Sequence, residues 1–309
     1  MLKQSKTQIS LIVILGLMIL GQAGFVIYQN FLPVSEKSME TQDIIIEKKP
    51  VVSAGSAKAF GLNRPQETYI QVGSVKELGK VFNNLDYTLA KAKSEGLVPR
   101  VFLSKLPQDM KHKKKSSNSD FVQVLLPHIL RVNEQILSDR ERLLDMQERK
   151  QNGQHLRHSE KMWLSKLASE YRCKSTKIET LLMHVDIVPP SLALAQGILE
   201  TGGGRSHAAL KKNSPFGYMA TKTKVAEFES LQHSVEAYVK NLNRHQAYNA
   251  FRRDRASLRA KNQTLCGHKL ASCLMKYSIR GAAYTRDLQN LIHNRGLKAY
   301  DSGHVRLKP

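Results

Sequence analysis

The chain has 309 residues, 41% of them hydrophobic, and its 48 Lys and Arg against 26 Asp and Glu give a net charge of +22. This composition excludes an intrinsically disordered chain and supplies enough apolar residues for one or two domains. Three cysteines are too few for a disulfide framework and lack the paired spacing of a zinc site, so we expect no metal and no cofactor. The positive charge favours an anionic partner, such as nucleic acid, anionic lipid or bacterial cell wall.

The N-terminal segment is apolar and follows positive charge. Lys3 and Lys6 precede a stretch from Ile9 to Leu32 that contains no charged residue. A helix of this length crosses a hydrocarbon core of about 30 Å, with its positive flank in the cytoplasm. The sequence therefore predicts a single-pass inner-membrane anchor over residues 1–33. The alternative is a signal peptide cleaved after Ala23. Both export the rest of the chain, which argues against nucleic acid as the partner.

Residues 34–67 mix Ser, Glu, Lys, Pro and Gly and are predicted to be a linker. Helical periodicity begins after it. Ser74 and Glu77 have the spacing of a capping box, and apolar residues follow at helical intervals to Leu89, before Gly96. The pattern predicts one amphipathic helix of about six turns that ends at this glycine.

Further helices are predicted in the middle of the chain. A basic patch, Lys111 to Lys115, precedes a long helical pattern from Phe121 to about Arg149. The patch is expected to be a solvated loop or, alternatively, a contact with an anionic surface. Shorter patterns run over Glu160–Tyr171 and Lys177–Val185. Strand signals are scarce, the best being Tyr218 to Phe228, so the fold class should be mainly α.

The stretch SLALAQGILETGGGRS begins at Ser191 and is typical of a core helix with a defined start and end. Pro189 and Pro190 suit a first turn, and Ser191 can cap free amides. The helix is predicted to run from Leu192 to about Glu200. The three glycines from Gly202 to Gly204 end it, because they accept positive φ.

Glu200 is the one charged residue in this predicted helix. A negative charge at a helix C-terminus is unfavourable, so something other than helix stability is expected to hold it there. Half-buried between core and cleft, its carboxyl group would have a raised pKa, in the range useful to a general acid. The alternative is an exposed glutamate paired with Arg205 or Lys211.

The segment VDIVPPSLALAQGILETGGGRSHAALKKNSPFGYM, from Val185 to Met219, resembles the signature of the glucosaminidase family of lysozyme-like peptidoglycan hydrolases, in which a proline-led helix ends in a catalytic glutamate. Other segments resemble the Bax-type branch of Gram-negative bacteria: VPRVFLSKLPQDM (98–110), LLPHILRVNEQILSDRERLL (125–144), SVEAYVKNLNRHQAY (234–248) and YSIRGAAYTRDLQNLI (277–292). The resemblance implies a lysozyme-like domain with a short β-hairpin over 159–296. A helical region, 68–158, precedes this domain, and a basic tail, 297–309, follows it.

The resemblance implies an endo-β-N-acetylglucosaminidase that acts on peptidoglycan glycan strands in the periplasm. Glu200 would be the general acid that protonates the glycosidic oxygen while the sugar develops oxocarbenium character. Two alternatives stay open. A lytic transglycosylase would use Glu200 as both acid and base, and a non-catalytic envelope protein would only hold peptidoglycan.

The second catalytic group is open as well. Relatives place it on a β-hairpin, which here offers Glu227 and Glu229 on one strand face. Glu227 is favoured, because Phe228-Glu229-Ser230 itself resembles the strand end of relatives. Both can equally be ordinary exposed carboxylates. In a further alternative, the N-acetyl group of the substrate acts as the nucleophile.

The family also implies residues that bind substrate. Tyr284 matches a tyrosine that lines the cleft, where it would bond the acetamido group or orient water, and Tyr277 would share its helical face if the segment is continuous. The alternative for Tyr284 is a core tyrosine. Asn213, Phe216 and Gly217 match a family loop that is expected to contact sugar, although a simple turn has the same pattern.

One position departs from the family. Relatives carry Ser-Gly-Trp-Gly after the glutamate, whereas this chain has Thr201 followed by three glycines, so the aromatic residue is missing at Gly203. Together with the short hairpin, this loss supports the non-catalytic alternative.

Overall fold

The computed structural model describes residues 67–114, 118–221 and 223–309. Its secondary structure is mainly helical, as the sequence predicts. The predicted anchor, Ile9 to Leu32, and the predicted linker up to residue 66 lie outside the described residues. Among the helices of the described ranges, none has both the length and the apolar character needed to cross a membrane.

Eleven α-helices and four short strands lie within the described residues. The helices are α1 (Val75–Asn84), α2 (Leu89–Ser94), α3 (Ser119–Gln151), α4 (His158–Glu170), α5 (Ile178–His184), α6 (Pro190–Thr201), α7 (His207–Lys212), α8 (Leu231–Arg244), α9 (Asn249–Ala260), α10 (Gly267–Ala271) and α11 (Ala282–Asn294). The strands are β1 (Thr68–Ile70), β2 (Leu97–Val98), β3 (Val101–Leu103) and β4 (Arg306–Leu307).

The first predicted helix is two helices, and the single-helix prediction was wrong. α1 begins as predicted, with the Ser74 hydroxyl accepting from the backbone N–H of Glu77 at 3.1 Å. It ends at Asn84, with Leu85 as its C-cap, because Asp86 takes φ +50° and the Thr88 hydroxyl caps α2 by accepting from the N–H of Lys91. The apolar spacing continues across this break and therefore conceals it in the sequence.

The strands form two parallel pairs, which the sequence analysis did not predict. β1 lies beside β3, with Thr68 opposite Val101, and β2 lies beside β4, with Leu97 opposite Arg306. The second pair joins the C-terminal residues to the N-terminal helical region. Residues 297–309, predicted as a basic tail, therefore fold back onto the protein, and Tyr300 and Leu307 are buried there.

The predicted β-hairpin between Tyr218 and Phe228 is reduced to one antiparallel bridge, Met219 to Val225. Tyr218 accepts a backbone hydrogen bond from Ala226 at 2.7 Å, but the ladder extends no further in the residues described around it. The hairpin prediction was therefore wrong in extent. Glu227 lies on a loop and not on a strand.

α6 lies at the centre of the core. It contacts α3, α10, α11 and the C-terminal 3₁₀ helix Leu297–Asp301. Its small residues permit close approach, as predicted: a Cβ on Gly197 would lie 3.1 Å from Leu125 and from Phe121 of α3. α3, predicted from its apolar spacing, thus packs closely against α6 at Gly197.

Asp301 holds the start of α6. Its carboxylate accepts from the Ser191 N–H at 2.9 Å, from the Ser191 hydroxyl at 2.6 Å and from the Gly267 N–H at 2.8 Å. Ser191 was predicted to cap the helix, but the cap residue is Pro189, and the serine donates to this distant carboxylate instead. A negative charge at a helix N-terminus is favourable.

Asp186 lies just before α6 among three arginines. Its side chain is 2% exposed and forms ion pairs with Arg259 at 2.8 Å, Arg140 at 3.6 Å and Arg255 at 3.9 Å. Burial alone would raise its pKa, but the hydrogen bonds from Arg259 and the charges of the other two arginines outweigh burial and lower it. The group is therefore a buried structural anion.

Candidate active site

The turn after α6 fixes the position of Glu200. Gly202, Gly203 and Gly204 all have positive φ, as predicted, with values of +63°, +76° and +81°. The Thr201 hydroxyl donates to the carbonyl of Gly197 at 2.6 Å and accepts from the N–H of Gly204 at 2.9 Å. These bonds hold the turn against the last helical turn, which carries Glu200.

The carboxyl group of Glu200 combines solvent access with a protein-lined environment. The residue is exposed, and Tyr284 donates a hydrogen bond to its Oε1 at 2.8 Å. Burial of the carboxyl group raises its pKa, and this hydrogen bond and the charge of Arg280 offset the increase only in part. The protein surrounds the carboxyl closely even though the residue reaches solvent. Such a group keeps its proton to a higher pH than an ordinary glutamate.

A chain of buried hydrogen bonds leads to Glu200 from the core. Tyr238 donates to Gln196 Oε1 at 2.7 Å, and Gln196 Nε2 donates to the hydroxyl of Tyr284 at 2.9 Å. All three residues are at most 2% exposed. The chain joins α6, α8 and α11 through side chains alone.

Two aromatic stacks border this chain. The Tyr277 ring lies parallel to that of Tyr284, with centroids 5.5 Å apart and planes 8° apart. Phe216 stacks on Tyr238 at 3.9 Å with planes 7° apart. Tyr277 lies before the first residue of α11, so the two tyrosines do not share a continuous helix, but the fold brings their rings together as a shared face would.

The loop between α7 and the following bridge has a buried part and a part beside Glu200. Asn213 is buried, and its amide donates to the carbonyls of Phe228 and Glu229 at 2.9 and 3.3 Å. Gly217 has φ +60°, and a Cβ built on it would lie 3.8 Å from Oε2 of Glu200. Of this loop, Gly217 is the residue placed against the carboxyl group.

Comparisons with known proteins show the family to which the chain belongs. The glucosaminidase family model, described as mannosyl-glycoprotein endo-beta-N-acetylglucosaminidase, matches residues 178–297. Protein bax of Escherichia coli (strain K12) is 31% identical over 225 residues, which cover 68% of this chain and 78% of that protein. The chain is a Bax-type member of the glucosaminidase family. The search of solved structures gives no significant match.

In this Bax-type chain, a neighbouring helix occupies the space beside the glycine turn. A Cβ on Gly203 would lie 2.1 Å from the side-chain oxygen of Asn118, and one on Gly204 would lie 2.6 Å from the Phe121 ring. Asn118 immediately precedes α3. The missing aromatic residue at Gly203 therefore leaves no cavity at this point, because the N-terminal helical region packs there.

Glu227 and Glu229 are exposed on the loop before α8, and Glu229 lies 3.4 Å from Nδ1 of His233. Besides burial, the pKa of Glu200 responds to Tyr284 and Arg280 and to neither of these carboxylates, within the described part of the chain. The structure of this glucosaminidase relative thus brings Glu200, Tyr284, Tyr277 and Gly217 together. Within the described residues, no carboxylate is among the groups that shift the pKa of Glu200.

An open depression of about 530 Å³ lies along α11. It is lined by Leu199 of α6 and by residues of α11 and its C-terminal cap: Asp287, Asn290, Leu291, Asn294 and Arg295. Asp287 is paired with Arg280 at 2.5 Å, which connects the depression to the charge that acts on Glu200. Glu200 itself does not line this depression, and Leu199, the residue before it, does.

The sequence analysis missed two members of the site. Gln196 is a fully buried polar residue in an otherwise apolar part of α6, one helical turn before Glu200. That spacing alone places both side chains on the same face and could have identified it. Arg280 has no such signal, because its proximity to Glu200 depends on the turn before α11.

Proposed function

We propose that this protein is a cell-envelope glycoside hydrolase that cleaves N-acetylglucosaminyl linkages in peptidoglycan, with Glu200 as the general acid. Membership of the glucosaminidase family supports the glycosidase class and a peptidoglycan glycan as substrate. The observation that most supports the residue assignment is the carboxyl group itself. It has a raised pKa, one oxygen held by Tyr284 and access to solvent.

The proposed step follows from the protonation state of Glu200. The neutral carboxyl gives its proton to the oxygen of the scissile bond as this bond breaks and the sugar ring gains oxocarbenium character. The resulting carboxylate then takes a proton from the attacking water. Tyr284 stabilises that carboxylate through its hydrogen bond to Oε1.

The nucleophile is proposed to come from the substrate. A retaining pair of carboxylates is about 5–5.5 Å apart, close enough for each to affect the pKa of the other. Glu200 has no such neighbour among the described residues that act on its pKa. The N-acetyl group, the alternative considered above, fits a site with one carboxylate better than Glu227 does.

The same observation favours a second candidate. A lytic transglycosylase also needs one carboxylate, acting first as acid and then as base, and yields an anhydro sugar instead of a new reducing end. The chemistry of the product separates these two functions.

The proposed location is the periplasm, with Ile9 to Leu32 as the inner-membrane anchor or, alternatively, as a cleaved signal peptide. The support is the uncharged stretch behind Lys3 and Lys6 and the envelope substrate that the family implies. The net charge of +22 would also draw the protein to an anionic cell wall.

Purified peptidoglycan sacculi incubated with the protein test these assignments by mass spectrometry of the released fragments. Fragments with a new N-acetylglucosamine reducing end support the hydrolase, and anhydro sugars support the transglycosylase. Sacculi that bind the protein yet release nothing soluble would contradict both enzymes and leave the non-catalytic alternative.

A further inference from the structure

The buried hydrogen-bond chain has a fixed direction. Gln196 offers its two ends to two tyrosines: Oε1 accepts from Tyr238, and Nε2 donates to Tyr284. A phenol has one proton. Since the Tyr284 oxygen already accepts from Gln196, its own proton is directed to Oε1 of Glu200.

The opposite orientation of the amide would break the chain. Oε1 of Gln196 would then face Tyr284 and attract the phenol proton. Tyr284 could then no longer donate to the Glu200 carboxylate, and a protonated Glu200 would have to donate its own proton to the Tyr284 oxygen. Its amide nitrogen would point at the hydroxyl of Tyr238 instead. That hydroxyl lies on a buried ring stacked on Phe216, which fixes the position of its oxygen, and in the structure it donates to Gln196 Oε1.

We propose that Gln196, oriented by Tyr238, is a positioning residue that keeps Tyr284 as a donor to Oε1 of Glu200 and so leaves Oε2 to carry the catalytic proton. This assignment rests on the proposed function for its chemical meaning. Oε2 is the oxygen next to Gly217, where the absence of a side chain leaves space beside the carboxyl group.

The charged and titratable groups around Glu200 allow the effect of Gln196 on the pKa of Glu200 to be measured without interference from other titrations. The titratable groups that act on it or respond to it are four tyrosines and one arginine: Tyr238, Tyr248, Tyr277, Tyr284 and Arg280. Burial raises the pKa of each tyrosine above its ordinary value of about 10, so all four stay neutral where a carboxyl titrates. The protonation of Glu200 therefore changes without a coupled change in these neighbours.

The test is a titration of Glu200 in the full chain by ¹³C NMR of glutamate carboxyl carbons, with Glu200→Gln to assign the signal. Gln196→Met keeps the size of the side chain but removes the donor to Tyr284, which weakens the bond from Tyr284 to Glu200. We expect the pKa of Glu200 to rise by about half a unit, because a neutral hydrogen bond contributes about this much.

Testing Gln196→Met in two backgrounds, the parent and Tyr284→Phe, separates an effect transmitted through the Tyr284 hydroxyl from a general effect on core packing. In Tyr284→Phe, the hydroxyl through which Gln196 acts is absent, so adding Gln196→Met should not shift the pKa further. An equal shift in both backgrounds, or none in either, would overturn the proposal. Tyr87→Phe is the matched control, because Tyr87 is also buried and its hydroxyl donates to a carbonyl outside the site, that of Gln123.

A second variant covers the case in which Gln196→Met does not fold. Tyr238→Phe keeps the ring stacked on Phe216 and removes only the bond that orients the amide, so the pKa should rise in the same direction and by less. A wild-type titration curve in this variant would contradict the proposal. Cleavage of sacculi is measured in parallel: a protein that cleaves nothing but shows the expected titration contradicts the proposed function and still supports the positioning.

Discussion

Asp186 and Glu200 lie at the two ends of α6 and show opposite environments for a carboxyl group. Asp186 is surrounded by Arg140, Arg255 and Arg259, and its pKa is lowered. At Glu200, burial raises the pKa, and the hydrogen bond from Tyr284 and the charge of Arg280 offset this increase only in part. Burial acts to raise the pKa of both groups, although Asp186 is 2% exposed and Glu200 reaches solvent, so burial alone does not explain the opposite directions of their shifts.

The difference lies in which charges compensate for burial. Three arginines around Asp186 make the ionised form stable, so the group serves the fold and has no proton to give. One hydrogen bond and one arginine at Glu200 compensate less, which leaves the proton on the group over a wider pH range. One end of α6 thus stabilises the structure, and the other end suits acid catalysis.

The largest expected effect concerns Glu200→Gln. The amide keeps the shape and can still accept from Tyr284, but it has no acidic proton, so sacculus cleavage should fall about 10²- to 10⁴-fold. The melting temperature should stay unchanged or rise slightly, because a charge at a helix C-terminus is removed. Fragment release and thermal unfolding are measured on the same samples. Cleavage at the parental rate would end the catalytic assignment.

Asp186→Asn should have the opposite profile. The buried guanidinium of Arg255 would lose the main negative charge near it, and breaking a buried ion pair costs about 3 kcal/mol or more of unfolding free energy. Urea unfolding measures this loss, and cleavage per folded molecule should stay the same. A variant as stable as the parent would show that the arginines need no carboxylate.

The pH dependence of stability should have opposite signs for the two groups. The pKa of Asp186 is lowered by folding, so its contribution is present above about pH 3.9, the unfolded value, and is lost as the pH falls through the folded pKa. The pKa of Glu200 is raised, so its contribution is present below about pH 4.3 and is lost as the pH rises through the folded pKa.

Urea unfolding of the parent and the two amide variants between pH 3 and pH 8 tests these signs. The free energy of unfolding of Asp186→Asn should be lower than that of the parent by the full amount at neutral pH, and this difference should become smaller at acidic pH. The free energy of unfolding of Glu200→Gln should increase relative to that of the parent as the pH rises. If the free energy of unfolding of both variants followed that of the parent in parallel across this pH range, the opposite signs assigned to Asp186 and Glu200 would be contradicted.

The sequence identified one end of α6 better than the other. The position of Glu200 at the end of α6 was predicted from a short local pattern, a proline-led apolar helix followed by three glycines, and its proposed role as general acid was inferred from the family resemblance. The role of Asp186 depends on Arg140, Arg255 and Arg259, which reach it from distant helices and leave no local signal. The sequence analysis did not predict the two-residue strands β2 and β4 for the same reason: Leu97 pairs with Arg306, far along the chain.

Gly203→Ala tests the packing that supports the Glu200 end. The new Cβ would meet Asn118 at 2.1 Å, and Ala is strained at φ +76°. Gly153→Ala is the matched control, because φ is +77° there and nothing lies within 4 Å of a Cβ. Thermal or urea unfolding should show Gly203→Ala to be less stable than the control by about 1 kcal/mol or more. Asn118→Gly should recover the difference, and equal losses at both glycines would show that Asn118 moves freely.

Glu227→Gln should have the smallest effect. Glu227 is exposed on a loop, and it does not act on the pKa of Glu200. A second catalytic carboxylate would need to hold water or the sugar cation close to the scissile bond, and its loss would then resemble that of Glu200. We expect Glu227→Gln to keep cleavage within about threefold of the parent, since exposed surface substitutions change little. Glu229→Gln is its neighbour control. A hundredfold loss for Glu227→Gln alone would identify Glu227 as the second group and remove the substrate N-acetyl group from the proposed mechanism.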